Sequence, residues 1–168
     1  MSTNGIMKRS MVDGTAALNY AGVAVAVGGL LGLAGVYLNW FTYSYPVAGG
    51  SISVNVGGFE DWTGQVAFIA GIAAFAFALA NMILADPQIR RLTAAAMSVA
   101  AVLLLGACIA GFFRVDSATA DPVLLGVDAG ASVSVVSGVS GGLLVSAVGG
   151  IFAVVGAVLS MRPNDVSA

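Results

Sequence analysis

Gly138–Met161 reads GVSGGLLVSAVGGIFAVVGAVLSM, a run without one ionisable side chain in which Gly138, Gly142, Ser146 and Gly150 recur at every fourth position. About 20 apolar residues at 1.5 Å rise cross the hydrocarbon core of a bilayer, and this run is long enough to do so. Three more runs match it: Ala16–Trp40, Val66–Ala85 and Leu92–Phe113. The six basic and eight acidic residues all lie in the tails and connections. The chain has 168 residues, 59% of them hydrophobic and 8% charged, with mean hydropathy +1.00. Soluble domains carry about 25% charged residues. The expectation is an all-α membrane protein, a four-transmembrane-helix antiparallel bundle forming one integral membrane domain over residues 1–168. The run after Lys8 and Arg9 continues to Trp40, beyond the about 7–15 residues of a signal-peptide core, so it reads as a retained helix. The first fourteen residues read as a tail that is mobile or lies along the membrane surface.

Charge sets the orientation. Lys8 and Arg9 precede the first run, Arg90 and Arg91 separate the second and third, and Arg162 follows the fourth, while Arg114 alone falls on the other side. By the positive-inside rule both termini and the Asp86–Arg91 turn are cytoplasmic. The outer side then holds Glu60, Asp61, Asp116, Asp121 and Asp128 against Arg114.

The outer connections, residues 41–61 and 114–137, carry strand signals. Phe41–Val47 alternates aromatic and small polar residues, and Ser51–Val56 alternates polar and apolar after Gly49-Gly50. Period-two alternation broken by glycines is a hairpin pattern. Because a lone hairpin is marginal in water, Ala131–Val136 and Pro122–Leu125 are expected to join it. The result would be a small extracytoplasmic β-layer of three or four strands from both outer loops. Tyr37, Asn39 and Trp40 suit the outer headgroup level. Glu60 and Asp61 suit the positive end of a helix starting near Trp62 or Thr63. Pro87 ends the second helix in a tight turn.

Small residues mark packing faces. In lipid, helices associate by close van der Waals contact along such stripes. Gly28 and Gly32 form a GxxxG pair; Gly138, Gly142, Ser146 and Gly150 form the longest stripe, with Gly149, Ala153 and Ala157 beside it. Two faces on one helix exceed what one neighbour needs, so these residues are expected to dock a partner as well as pack the bundle. Tyr43, Tyr45 and Trp62 are expected to contact a partner from the outer loop, since aromatics are enriched in binding cores.

Composition excludes much chemistry. There is no histidine, and the runs hold no acid or base for ion-coupled transport. No phosphate-cradling loop is present, nor the ligand cluster of a zinc hydrolase. Cys108 is the single cysteine, so it forms no internal disulfide and reads as a small core residue. Asn19 and Tyr20 lie at the same depth as Asn81 and are expected to meet it. Asp116, Asp121 and Asp128 lack the regular spacing of a calcium loop.

Four helices with cytoplasmic termini and a small outer β-layer resemble the topology of claudin-type tetraspan proteins. That family has a tryptophan and paired cysteines in its first outer loop. Here Trp40 and Trp62 flank a loop without cysteine, and no functional residue is carried across. The Ala/Gly/Val-rich composition resembles that of membrane proteins from high-GC bacteria.

The function expected from the sequence is a non-enzymatic accessory or structural subunit of a larger complex in the inner membrane, such as a lipid or nutrient importer, a secretion machine or a respiratory complex. Its expected partners are other integral membrane proteins and the bilayer, with no nucleic acid, cofactor or metal. The alternative is a homo-oligomeric pore or hydrophobic conduit using the same stripes.

Overall fold

The computed structural model describes residues 3–47, 50–84, 86–114 and 136–161. Four helices, α1 (Thr3–Val36), α2 (Trp62–Ile83), α3 (Pro87–Arg114) and α4 (Gly141–Met161), form a ring. Its neighbours are α1 with α2, α2 with α3, α3 with α4, and α4 with α1, the last pair the most extensive. Three of these helices, α2, α3 and α4, are long and apolar enough to cross a membrane; α1 contributes the shorter apolar stretch Tyr20–Val36.

Each boundary has a local cause. The helix expected to begin at Ala16 already runs from Thr3. Nothing stops it there: Gly5 and Gly14 are its only poor helix formers ahead of Ala16, each costing about 1 kcal/mol against alanine. α1 ends at Val36 rather than Trp40, and Leu38 N–H closes the turn on Gly35 O at 3.1 Å. α2 starts where the Asp61 carboxylate accepts from Thr63 N–H at 2.8 Å. Pro87 is the first residue of α3, a position where its missing N–H costs nothing. The Asp86 carboxylate accepts from Gln88 N–H at 2.8 Å there.

At one end of the bundle lies a three-stranded antiparallel sheet in the order β2-β1-β3, from β1 (Asn39–Val47), β2 (Gly50–Gly57) and β3 (Val136–Val139). Both connections contribute, as the alternation indicates. Tyr43 pairs with Val54 and Ser137, and a register shift between Asn39 and Phe41 bends β1 where it leaves α1. Gly138 belongs to β3, opposite Thr42, and not to the fourth helix, which begins at Gly141. The strand signal at Ala131–Val136 is followed by Ser137-Gly138-Val139, in which Ser137 and Val139 pair with Tyr43 and Phe41. Ala131–Val135 and Pro122–Leu125 lie outside the described residues.

The interior is built from alanine and glycine. Ala67, Ala70, Ala74 and Ala78 line the inner face of α2, and Met97, Ala100, Ala101, Leu104, Ala107 and Cys108 that of α3. With so little side chain between them, the helices approach backbone to backbone.

Candidate functional site

The seam between α1 and α4 accounts for most of the small residues. A methyl group placed on Gly28 would sit 2.5 Å from the Ala153 nitrogen and the Gly149 oxygen. One on Gly142 would sit 2.6 Å from Asn39 O and 2.7 Å from Gly35 O, and one on Gly156 2.7 Å from Ala21 O. Gly35 lies directly against Ser146 and Gly142. Ser146 is fully buried, and its hydroxyl donates to Gly32 O at 3.1 Å, satisfying a polar group that apolar surroundings would otherwise penalise. Gly32 and Gly150 turn to α3, meeting Leu104 and Leu105 respectively.

The structure therefore brings Gly28, Gly32, Gly142, Ser146 and Gly150 together inside one chain. Within the chain these positions face α1 and α3, so the packing half of the expectation is met inside the bundle. Gly138 stands apart in β3, with nothing within 4 Å of an added methyl. The second small stripe of α4 lies on the same seam. Gly149 meets α1 at Gly28 and Gly32, as Gly142 and Ser146 of the first stripe meet Gly35, while Gly150 turns to α3.

Polar side chains in the interior are paired. Thr93 Oγ1 lies 3.3 Å from Asn81 Oδ1, joining α3 to α2. Asn81 therefore meets Thr93, while Tyr20 is 75% exposed; the Asn19 side chain lies outside what is described. Among the described residues no buried side-chain nitrogen or oxygen lacks a partner, and no three His, Cys, Asp or Glu side chains converge. Cys108 is buried. Asp116, Asp121 and Asp128 lie outside the described residues.

The sheet end is a polar junction that the sequence showed only in part. Trp40 is fully buried, its ring covered by the chain itself. Its indole N–H donates to Gly35 O at 3.0 Å, and Gly58 sits so close that an added methyl would be 2.7 Å from Nε1. Gly64 packs directly on Gly58 O, so the two glycines hold the start of α2 against the tryptophan. The Asp61 carboxylate accepts from Thr63 Oγ1 at 2.5 Å and lies 3.5 Å from the Arg114 guanidinium. Arg114 also stacks over Trp62, 5.9 Å from the ring centroid. This ties the end of α3 to the start of α2. Spacing in sequence gave no signal of the Asp61–Arg114 pair, because its members belong to different connections.

The two faces of the sheet differ. Phe41, Tyr43 and Tyr45 are buried, on the face they share with Val56, Val54 and Ile52 of β2. The other face carries a hydroxyl ladder: Ser140 Oγ lies 2.6 Å from Thr42 Oγ1, which donates to Asn55 Oδ1 at 3.0 Å, and Ser44 pairs with Ser53 at 3.0 Å. Tyr43 and Tyr45, expected as partner contacts, are thus largely covered by the chain itself, whereas Trp62 is 55% exposed. Burial first, and the nearby Asp61 carboxylate second, push the Tyr43 phenol above its ordinary value.

Comparison with known protein families gives no match, and no curated protein is significantly similar to the chain.

Proposed function

We propose that the chain is a multi-pass protein of the bacterial inner membrane, with both termini cytoplasmic, that serves as a non-catalytic accessory subunit of a larger membrane complex. The observation that carries this reading is the closed interior. The small-residue seam is occupied by the chain's own backbone, and Ser146 and Asn81 are bonded within the bundle. No room is left between α1 and α4 for a conduit within one copy. What remains outward is a broad aliphatic and aromatic surface, including Ile69 and Ile83 on α2, Val99, Val102 and Phe113 on α3, and Ile151 and Val158 on α4. Such a surface suits lipid or the helices of a partner.

Helix lengths agree with this setting. α2 and α4, with 22 and 21 residues, are each about 32 Å long, against about 30 Å of hydrocarbon. Both outer connections meet in one sheet, and the Asp86–Arg91 turn lies at the opposite ends of α2 and α3. The basic residues favour that turn as the cytoplasmic side.

Cross-linking in native membranes, followed by mild-detergent purification of the tagged chain and mass spectrometry, tests the proposal. The expected result is one fixed heterologous membrane protein. Multiples of three or more copies of this chain, with no heterologous band, would overturn it in favour of a homo-oligomeric pore.

A further inference from the structure

Among the described residues the β2 edge of the sheet is unpaired, and its pattern fits itself. β2 is an edge strand whose residues Gly50–Asn55 are all exposed. Natural edges are blunted by charge, proline or a bulge. Residues 50–57 include no charged residue and no proline, and the register shift of the hairpin lies at its far end, beside Asn39.

The observed ladder fixes which backbone groups face outward. Ser140 N–H donates to Trp40 O at 2.9 Å, so Trp40, Thr42 and Ser44 direct their backbone polar groups toward β3. Phe41, Tyr43 and Tyr45 then direct theirs toward β2, where they pair with Val56, Val54 and Ile52. Alternation leaves the N–H and C=O of Ser51, Ser53 and Asn55 pointing away from the sheet. These three residues are centred on Ser53, in the middle of the exposed stretch.

We propose that a second copy of this chain adds to this edge, β2 against β2 antiparallel with Ser53 on the two-fold axis, giving one continuous six-stranded sheet. In that register Ser53 opposes Ser53 of the second copy, Ser51 opposes Asn55, and Ile52 opposes Val54. Hydroxyl and amide groups thus meet on one face, and on the other the exposed Ile52 and Val54 cover each other. Neither strand carries a charge, so the paired edges themselves do not repel. The axis runs perpendicular to the sheet, so the apolar faces of both copies lie on the same side. Each edge is about 27 Å long and about 10 Å deep, presenting about 270 Å² per copy. That falls short of the about 1,200 Å² total of stable interfaces in water, so the dimer is weak and forms where a membrane concentrates the chain. The pairing uses up β2 in both copies and stops at two. It does not depend on the accessory role, and a heterologous partner can be present or absent without affecting it.

Single cysteines in a Cys108→Ala background, oxidised mildly in native membranes, test the register. Residues opposed in a bonded antiparallel pair have Cα atoms about 5.5 Å apart, within disulfide reach. Ser53→Cys should give a covalent dimer. Ser51→Cys and Asn55→Cys, equally exposed, should not do so singly but should when combined in one chain. Adding Ser53→Pro to that combination removes the central outward N–H and should abolish the cross-link. Equal dimer from all three single variants, as random collision gives, or no dimer from Ser53→Cys, would overturn the proposal. So would a Ser51→Cys/Asn55→Cys cross-link that survives Ser53→Pro.

Discussion

Gly35 shows how a single side-chain atom decides this fold. Its α-carbon faces Ser146 and Gly142 across the α1–α4 seam, where even a methyl would overlap backbone. Gly106 on α3 has nothing within 4 Å. The two glycines have the same chemistry and opposite roles. Gly35→Leu is expected to destabilise the bundle by about 3 kcal/mol or more, the upper range for overpacking against atoms that cannot move aside. Gly106→Leu should not destabilise and should gain up to about 0.8 kcal/mol, because glycine is a poor helix former at an open position inside α3. Reversible unfolding in mixed detergent micelles measures both. Tyr43 supplies a pH signature. An unfolded tyrosine ionises near pH 10, while burial and Asp61 hold the folded phenol protonated to higher pH. The folded state therefore keeps the proton longer than the unfolded one. Stability is full below about pH 10 and falls as pH rises toward the folded value. Tyr43→Phe should remove that decline, read as melting temperature against pH.

Elements are held by their ends. α2 begins on the Asp61 cap, which also takes the Thr63 hydroxyl and faces Arg114. Asp61→Ala should cost about 1 kcal/mol from the lost cap, and somewhat more because Thr63, fully buried, loses its acceptor. Asp61→Asn, which keeps an acceptor oxygen, should recover most of the difference in the same unfolding measurement. The sequence made these elements legible to different degrees. Alternation in Phe41–Val47 and Ser51–Val56 marks β1 and β2 nearly to the residue: one face of β1 is buried, and β2 repeats the pattern across the pairing although its residues Gly50–Asn55 are exposed. The start of α4 is not legible in the sequence: the four-residue stripe of small side chains extends back to Gly138, while Val135-Val136 interrupts the alternation that would mark a strand there. The α1 start was set at the first apolar residue, although a helix needs only the absence of breakers to continue past it. Most instructive is the seam. A small-residue stripe states that a backbone comes close without stating whose, so the same glycines read equally well as a partner's dock. Trp40 carries a related lesson: its amphipathic ring suits a membrane interface, and nothing in its sequence neighbours tells that Gly58 lies against the indole nitrogen.

At the scale of the whole molecule, the bundle turns its small residues inward and its large aliphatic ones outward, the reverse of the size order in a water-soluble core. Leu104, Leu143 and Met97 are among the few large fully buried side chains, while Ile69, Leu92, Val102 and Phe113 are each more than 60% exposed. That inversion makes sense in lipid, where close backbone contact rather than burial from water holds helices together. The accessory role and the weak β2 dimer both require that the sheet lie outside the membrane and the Asp86–Arg91 turn inside it. A membrane-impermeant maleimide applied to intact cells tests that arrangement most directly, using Asn55→Cys and Gln88→Cys separately in a Cys108→Ala background. Asn55 and Gln88 are both exposed in the folded chain, so only the bilayer should distinguish them. The account predicts labelling at position 55 in intact cells, and at position 88 only after the cells are opened. Labelling of both positions in intact cells, or of position 88 alone, would contradict it.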